Sequence, residues 1–150
     1  MSYHGESIIK RIATQAPLVV SGASMQPIPE WEVQLEEGRY RATLTPHYDV
    51  SDSTAGTGWN FQGGTAVLAN YSFRALLSNT ATAIYARNYN SRNQNFTTPR
   101  TSRMTNNRAT IIGEFLVTSP GSLIPHFRAR LAGQSVTLLP GALLELERIE

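Results

Sequence analysis

The sequence predicts an all-β fold, a sandwich or barrel of seven to nine short antiparallel strands, and three observations carry that expectation. Apolar residues recur at every second position in several separate stretches, as in strands with one buried and one wet face. Turn formers fall between those stretches, at Glu37-Gly38, Gly56-Thr57-Gly58, Gly63-Gly64, Ser119-Pro120-Gly121, Gly133-Gln134 and Pro140-Gly141. Little of the chain carries a helical period, and many short strands with few helices belong to sandwiches and barrels.

The elements follow in chain order. Ile8, Ile9 and Ile12 are spaced to share a helix face, with Glu6 near its start and Lys10 and Arg11 near its end, which suits the helix dipole. That stretch is at most two turns, too short to be stable alone. Beyond it, Pro17, Pro27 and Pro29 forbid a helix and favour extended chain. Residues 1–30 therefore read as an arm that orders only when it docks, leaving residues 31–150 as the folded domain, able to fold without the arm.

From Trp31 the period is two. Tyr40, Ala42 and Leu44 alternate with Arg39, Arg41, Thr43 and Thr45. Val67, Ala69, Tyr71, Phe73 and Ala75 form a second apolar face, and Ala109, Ile111, Phe115 and Val117 a third. Leu123, Pro125, Phe127, Ala129 and Leu131 alternate with Ile124, His126, Arg128 and Arg130. Thr80 to Tyr89, Ser135 to Leu139 and Leu143 to Ile149 complete the set, and one polar connection, Asn88 to Asn107, reads as a long loop.

Composition bounds the function. A chain of 150 residues suits one domain, which buries about 68–70% of its unfolded surface at this size. No apolar run approaches the ~20 residues of a membrane span, and the N-terminus lacks a signal-peptide core, so the expectation is a soluble protein made in the cytoplasm. Without cysteine there is no disulfide, thiolate site or cysteine nucleophile, and stability rests on packing or association. The net charge is +2, yet Lys10 is the single lysine beside twelve arginines, and arginine favours interfaces. No acidic residue falls between Ser53 and Gly113, whereas Glu30, Glu32, Glu36, Glu37, Asp49 and Asp52 crowd the segment before it. Acidic and basic sectors on one fold allow copies to associate through complementary charge.

Signals for chemistry are faint. His4, His47 and His126 are scattered and read as surface or hydrogen-bonding histidines, so no metal site or cofactor is expected. The stretch GTGWNFQGG lacks the lysine of a phosphate loop, and no G-x-S-x-G elbow exists. Glu30 and Glu32 share one side of an extended chain, where solvation of an edge is the commoner role than glycosidase chemistry. Asp49 and Asp52 suit turn capping better than calcium binding. Arg87, Arg92, Arg100, Arg103 and Arg108 form a basic sector interleaved with aromatics. Their loose spacing and the low net charge favour acidic surface on another protein over nucleic acid.

The succession LEEGRYRATLTPHYDVSD, GTAVLANYSFRALLSN, RATIIGEFLVTSPGSLIPHFRARLAG and VTLLPGALLELERIE resembles the tumour necrosis factor-like jelly roll from Trp31 to Glu150. The resemblance implies a jelly-roll β-sandwich that assembles as a homotrimer, and it puts Tyr40, Tyr71, Phe73, Tyr85, Phe115 and Phe127, from the aromatic-rich strands, at the subunit interface. Cysteine-free forms are similar to bacteriophage capsid decoration or cement proteins and to fibre knobs. The implied function is a non-enzymatic virion protein on the capsid surface, bound to the major capsid protein, with Ile8, Ile9, Lys10, Arg11 and Ile12 as its anchor. The alternative is a carbohydrate- or receptor-binding module such as a fibre knob, in which Trp59, in a glycine-rich loop, stacks on a sugar.

Overall fold

The computed structural model describes residues 9–52, 55–78, 84–89, 96–97 and 105–149. The chain opens with β1 (Ile9–Ala13), β2 (Leu18–Ser21), β3 (Gln26–Pro27), a 3₁₀ turn over Pro29–Trp31 and β4 (Val33–Leu35). Then come β5 (Gly38–Thr45), β6 (His47–Val50), β7 (Thr57–Gly63), β8 (Val67–Ser78), β9 (Ile84–Tyr89) and β10 (Phe96–Thr97). The last four are β11 (Asn107–Ser119), β12 (Gly121–Ala129), β13 (Ser135–Leu138) and β14 (Leu143–Arg148). These form a nine-stranded sheet, in the order β1-β14-β5-β11-β6-β13-β2 with β8 on β11 and β9 on β8, and a five-stranded sheet in which β12 pairs with β7, β3 and β4, and β7 with β10. The pairing is antiparallel throughout the described ladders, and the architecture is a β-sandwich, as the strand rhythm predicts, of the jelly-roll type that the resemblance implies.

The N-terminal segment differs from expectation. Ile9 to Ala13 form an edge strand on β14, with Ile9 opposite Glu147 and Ala13 opposite Leu143. Leu18 to Ser21 pair with β13. Between them Thr14 is buried: its N–H donates to Ala142 O at 2.9 Å, its hydroxyl donates to Leu139 O at 2.8 Å, and its carbonyl accepts from Gly141 N at 2.8 Å. Residues 9–27 are thus part of both sheets, not a detached arm, because β14 and β13 present open ladder groups that a local helix cannot satisfy. The expected long loop also contains structure, since Phe96 and Thr97 pair with Trp59 and Gly58.

The second apolar face changes side partway. Tyr71, Phe73 and Ala75 are buried as read, but Asn70 takes a left-handed φ of +49° and the pairing with β11 shifts between Glu114 and Leu116. A bulge of this kind inserts one residue and reverses the alternation beyond it. Leu68 therefore packs on the core while Val67 is left 52% exposed. Opposite Phe73, Gly113 has no room for a side chain, because a Cβ there would collide with Ser72 O and the Phe73 ring.

The two sheets meet through aromatic rings. From β7, the Phe61 ring lies 4.6 Å from Phe73, 6.1 Å from Tyr71 and 6.5 Å from Phe115, all on the nine-stranded sheet. Trp59, two residues earlier on the same side of β7, lies 5.3 Å from Tyr48 of the nine-stranded sheet and 5.3 Å from Phe127 beside it on β12. Such pairs add about 0.5–1.5 kcal/mol each beyond area burial. Burial pushes the Tyr48 phenol up to about 12, with the nearby Thr57 hydroxyl pulling weakly the other way.

Three outcomes follow from this packing. Phe61→Ala lowers stability by about 3–5 kcal/mol, read as a fall in denaturant midpoint at unchanged slope. Because the folded-state phenol of Tyr48 titrates above its ordinary 10, its contribution is complete below pH 10 and is lost as pH rises towards 12. That loss amounts to about 3 kcal/mol, and thermal melts of Tyr48→Phe between pH 9 and 12 fall less steeply than those of the unaltered protein. Removing residues 2–29 takes β1, β2 and β3 out of the sheets and abolishes the cooperative melt seen by circular dichroism, whereas a dispensable arm would leave it unchanged.

Candidate interaction face

The side of the nine-stranded sheet that turns away from the core is built by alternation. On β5, Tyr40, Ala42 and Leu44 are buried, which turns Arg39, Arg41 and Thr43 outward. On β11, Ile111, Phe115 and Val117 are buried and Ile112, Glu114 and Leu116 face out. The register sets Glu114 opposite Arg41 and Leu116 opposite Arg39. Glu114 accordingly receives two guanidinium groups, Arg41 Nη2 at 3.3 Å and Arg39 Nη1 at 3.7 Å. Across the β1–β14 ladder Arg11 lies opposite Glu145, and its Nη2 and Nε reach one carboxylate oxygen at 3.1 and 3.2 Å.

Exposed pairs of this kind add only about 0–1 kcal/mol each to stability, so the ladder's main effect is to hold charges in fixed places. Apolar and small residues fill the intervals, with Ile112 45% exposed. Among the described residues, three of the open depressions lie on this side. One, of about 290 Å³, is bordered by Arg41, Ser72, Arg74, Ile112 and Glu114. Another, of about 520 Å³, lies between Arg39, Leu116 and Arg148, and the third, of about 220 Å³, between Arg11, Thr43 and Glu145. The arrangement suits a broad, part-polar contact with protein.

The residues singled out by sequence distribute unevenly. Tyr40, Tyr71, Phe73, Phe115 and Phe127 lie inside the chain's own sandwich, at 8% exposure or less, which removes them from any subunit interface. Aromatic-rich strand faces were the correct signal for burial, but the partner they bury against is the opposite sheet. Tyr85 stands opposite Leu77 in the β8–β9 ladder, and its side chain lies outside the described residues. Trp59 is a strand residue, 1% exposed, whose Nε1 donates to Thr57 Oγ1 at 3.0 Å, so it offers no surface to a sugar.

Of the expected anchor, Ile8 lies outside the described residues and Ile9 takes part in the β1 ladder. Lys10 Nζ donates to Gln34 O at 2.7 Å, Arg11 pairs with Glu145, and Ile12 packs on the core. These residues belong to a sheet edge and are committed within the chain. In the basic sector, Arg87 stands opposite Ala75 in the ladder, Arg108 is exposed beside His47, and Arg92, Arg100 and Arg103 lie outside the described residues.

Among the described residues no group of three or more His, Asp or Glu side chains could hold a metal. Asp49 lies within β6 and not in a local turn, and its Oδ1 accepts from Asn106 N at 2.9 Å, just before β11. His126 Nδ1 donates to Ile124 O at 2.9 Å, its ring packed where a side chain on Gly63 would stand. Sequence reasoning missed Glu114 as the hub between Arg39 and Arg41, although the wet face of β5 was visible in the alternation.

No protein-family model matches the sequence, and no curated protein matches it. Among solved structures, Eiger TNF from S. frugiperda superposes with a TM-score of 0.51 at 10% identity, over 96% of this chain and 93% of that one. A family two carbohydrate esterase from Cellvibrio japonicus and the infectious bursal disease virus VP2 subviral particle superpose at TM-scores of 0.24 and 0.23, with 10% and 12% identity. They are matched over 93% and 94% of this chain but only 35% and 40% of their own, and neither bears on fold or function. The first likeness, spanning both chains almost end to end, identifies the fold as a tumour necrosis factor-like jelly roll.

Proposed function

We propose that this chain is a structural protein of a virus particle, a bacteriophage capsid decoration or cement protein that binds the capsid lattice as a homotrimer. Its work is binding, without catalysis. The observation that carries the reading is the outward side of the nine-stranded sheet, where Arg39, Arg41 and Glu114 and, further along, Arg11 and Glu145 hold charges in register around exposed Ile112. Held guanidinium groups with apolar intervals favour a protein partner, since arginine contributes heavily at such interfaces. The jelly-roll fold, known here from its likeness to a tumour necrosis factor, is compatible with assembly in threes.

In this reading the partners are two further copies and the major capsid protein, and the place of action is the capsid surface after synthesis in the host cytoplasm. No helix among the described residues is long and apolar enough to cross a membrane. A trimer presents each weak contact three times, and linked contacts of this kind raise avidity about 10²–10⁴-fold. Nucleic acid has no part in it.

Light scattering on the purified chain is expected to give a mass near three times 16.5 kDa. The same preparation is expected to co-sediment with undecorated capsids, and Arg41→Glu with Glu114→Arg is expected to weaken that co-sedimentation without changing the melt. A monomer that stays in the supernatant would overturn the proposal.

A further inference from the structure

The five-stranded sheet holds an arginine that no acid meets. Its strands, β3, β4, β7, β10 and β12, contain no aspartate or glutamate, and Arg128 of β12 is their single arginine or lysine. Pro125, Phe127 and Ala129 are buried on the core side of β12, so Arg128 lies on the outward side with Ile124 and His126, and all three are half-buried. Among the described residues its guanidinium makes one hydrogen bond, Nη1 donating to Ala23 O at 2.9 Å, and no ion pair, and its Nε is buried without a partner. On the nine-stranded sheet, by contrast, Arg11, Arg39 and Arg41 each meet a carboxylate. The surroundings of Arg128 do not close its charge. His126, two residues earlier on the same side, is turned the other way, onto Ile124 O and Gly63. Glu32 and Glu36 flank β4, which pairs with the opposite end of β12 at Gly121 to Leu123. Nearer by, exposed Arg130 adds a second cation, its N–H donating to Gly56 O, and Asp52 in the connection before β7 supplies one carboxylate against the two guanidinium groups.

We propose that Arg128 is a binding site for a carboxylate, presented by an acidic side chain of the partner protein. A guanidinium does not deprotonate, and half-burial strips part of its hydration, so an anion supplies what water no longer does. With Nη1 committed to Ala23 O, the edge carrying Nε and Nη2 is the one left, and two parallel N–H groups of that kind match the two oxygens of a carboxylate. Nε is closed to solvent in the free chain, so binding draws this edge outward. The one unmatched positive charge equals that of a single carboxylate, whereas a phosphate brings about two negative charges. The inference deepens the decoration reading, on which it rests for the source of the carboxylate, an exposed aspartate or glutamate of the capsid.

The test titrates the full, isotope-labelled chain with sodium acetate and, separately, with inorganic phosphate at constant ionic strength, following the arginine Nε–H resonances by NMR. The Arg128 resonance is identified by its loss in Arg128→Gln, a variant checked for an unchanged melt. Acetate is expected to shift that resonance saturably, while those of Arg11 and Arg41, already paired, move little. Arg128→Gln is also expected to co-sediment with undecorated capsids about tenfold more weakly at unchanged mass, as the loss of hydrogen bonds to a charged group requires. That pair of results assigns the carboxylate to the capsid. Saturation by acetate with undiminished co-sedimentation of the variant overturns the protein source and assigns the site to a small organic acid. A shift that grows linearly, or equally at all arginines, overturns the site itself, and saturation at lower phosphate than acetate overturns the choice of carboxylate. An unaltered chain that saturates with acetate yet never sediments with capsids overturns decoration and leaves the site standing.

Discussion

Everything in this fold depends on how one strand, β7, joins the two sheets. Trp59 and Phe61 project from the same side of it, and each reaches across the interior to rings on the other sheet, Trp59 to Tyr48 and Phe61 to Tyr71, Phe73 and Phe115. Flat rings stacked and tilted at 4.6 to 6.5 Å fix the separation and relative slide of the sheets far more tightly than aliphatic side chains would. Gly113 belongs to the same constraint, since the Phe73 ring occupies the space its side chain would need. The cost is that the large aromatic residues of these strands are consumed internally. Recognition is left to what faces out, which is mostly arginine, glutamate, threonine and isolated aliphatic residues.

Much of this was legible in the sequence wherever local alternation and tertiary burial agree. The strands around Tyr40, Ile111 and Phe127 read correctly because their inward and outward positions never change over, although Leu131, read as continuing the Phe127 face, falls past the end of β12 and is 51% exposed. The stretch through Val67 and Ala69 misleads, because a single left-handed residue, Asn70, reverses the alternation, and asparagine carries no unambiguous mark of that conformation. The N-terminal strand misleads for a different reason. Ile8, Ile9 and Ile12 fit a helical spacing, but what decides the conformation of Ile9 and Ile12 is an open ladder on β14, supplied by residues more than a hundred positions away. Trp59 looked like a loop residue because glycines surround it, but Gly58 and Gly63 belong to the same strand as Trp59.

The interaction face was half visible. Arg39 and Arg41 stood out as the wet side of a strand, whereas their partner Glu114 lies 73 residues from Arg41 and could not be assigned to them from pattern. The preference for arginine over lysine makes physical sense in this setting. A planar guanidinium can serve a carboxylate of its own chain and still present donors outward, so the same side chain organises the surface and remains competent to bind. A lysine ammonium, compact and strongly hydrated, does this less well.

The pairing of β1 with β14 also governs how the molecule comes into being. Arg11 and its partner Glu145 are separated by 134 residues, so the first strand of the sheet emerges from the ribosome long before the strand it must bond. At ordinary elongation speeds that interval is on the order of ten seconds, which is long beside the folding time of most single domains. During that wait the rest of the sandwich can assemble only with one edge of its larger sheet incomplete. Closure of this edge thus comes late in the order of synthesis, because β1 has no ladder to dock on until β14 has emerged.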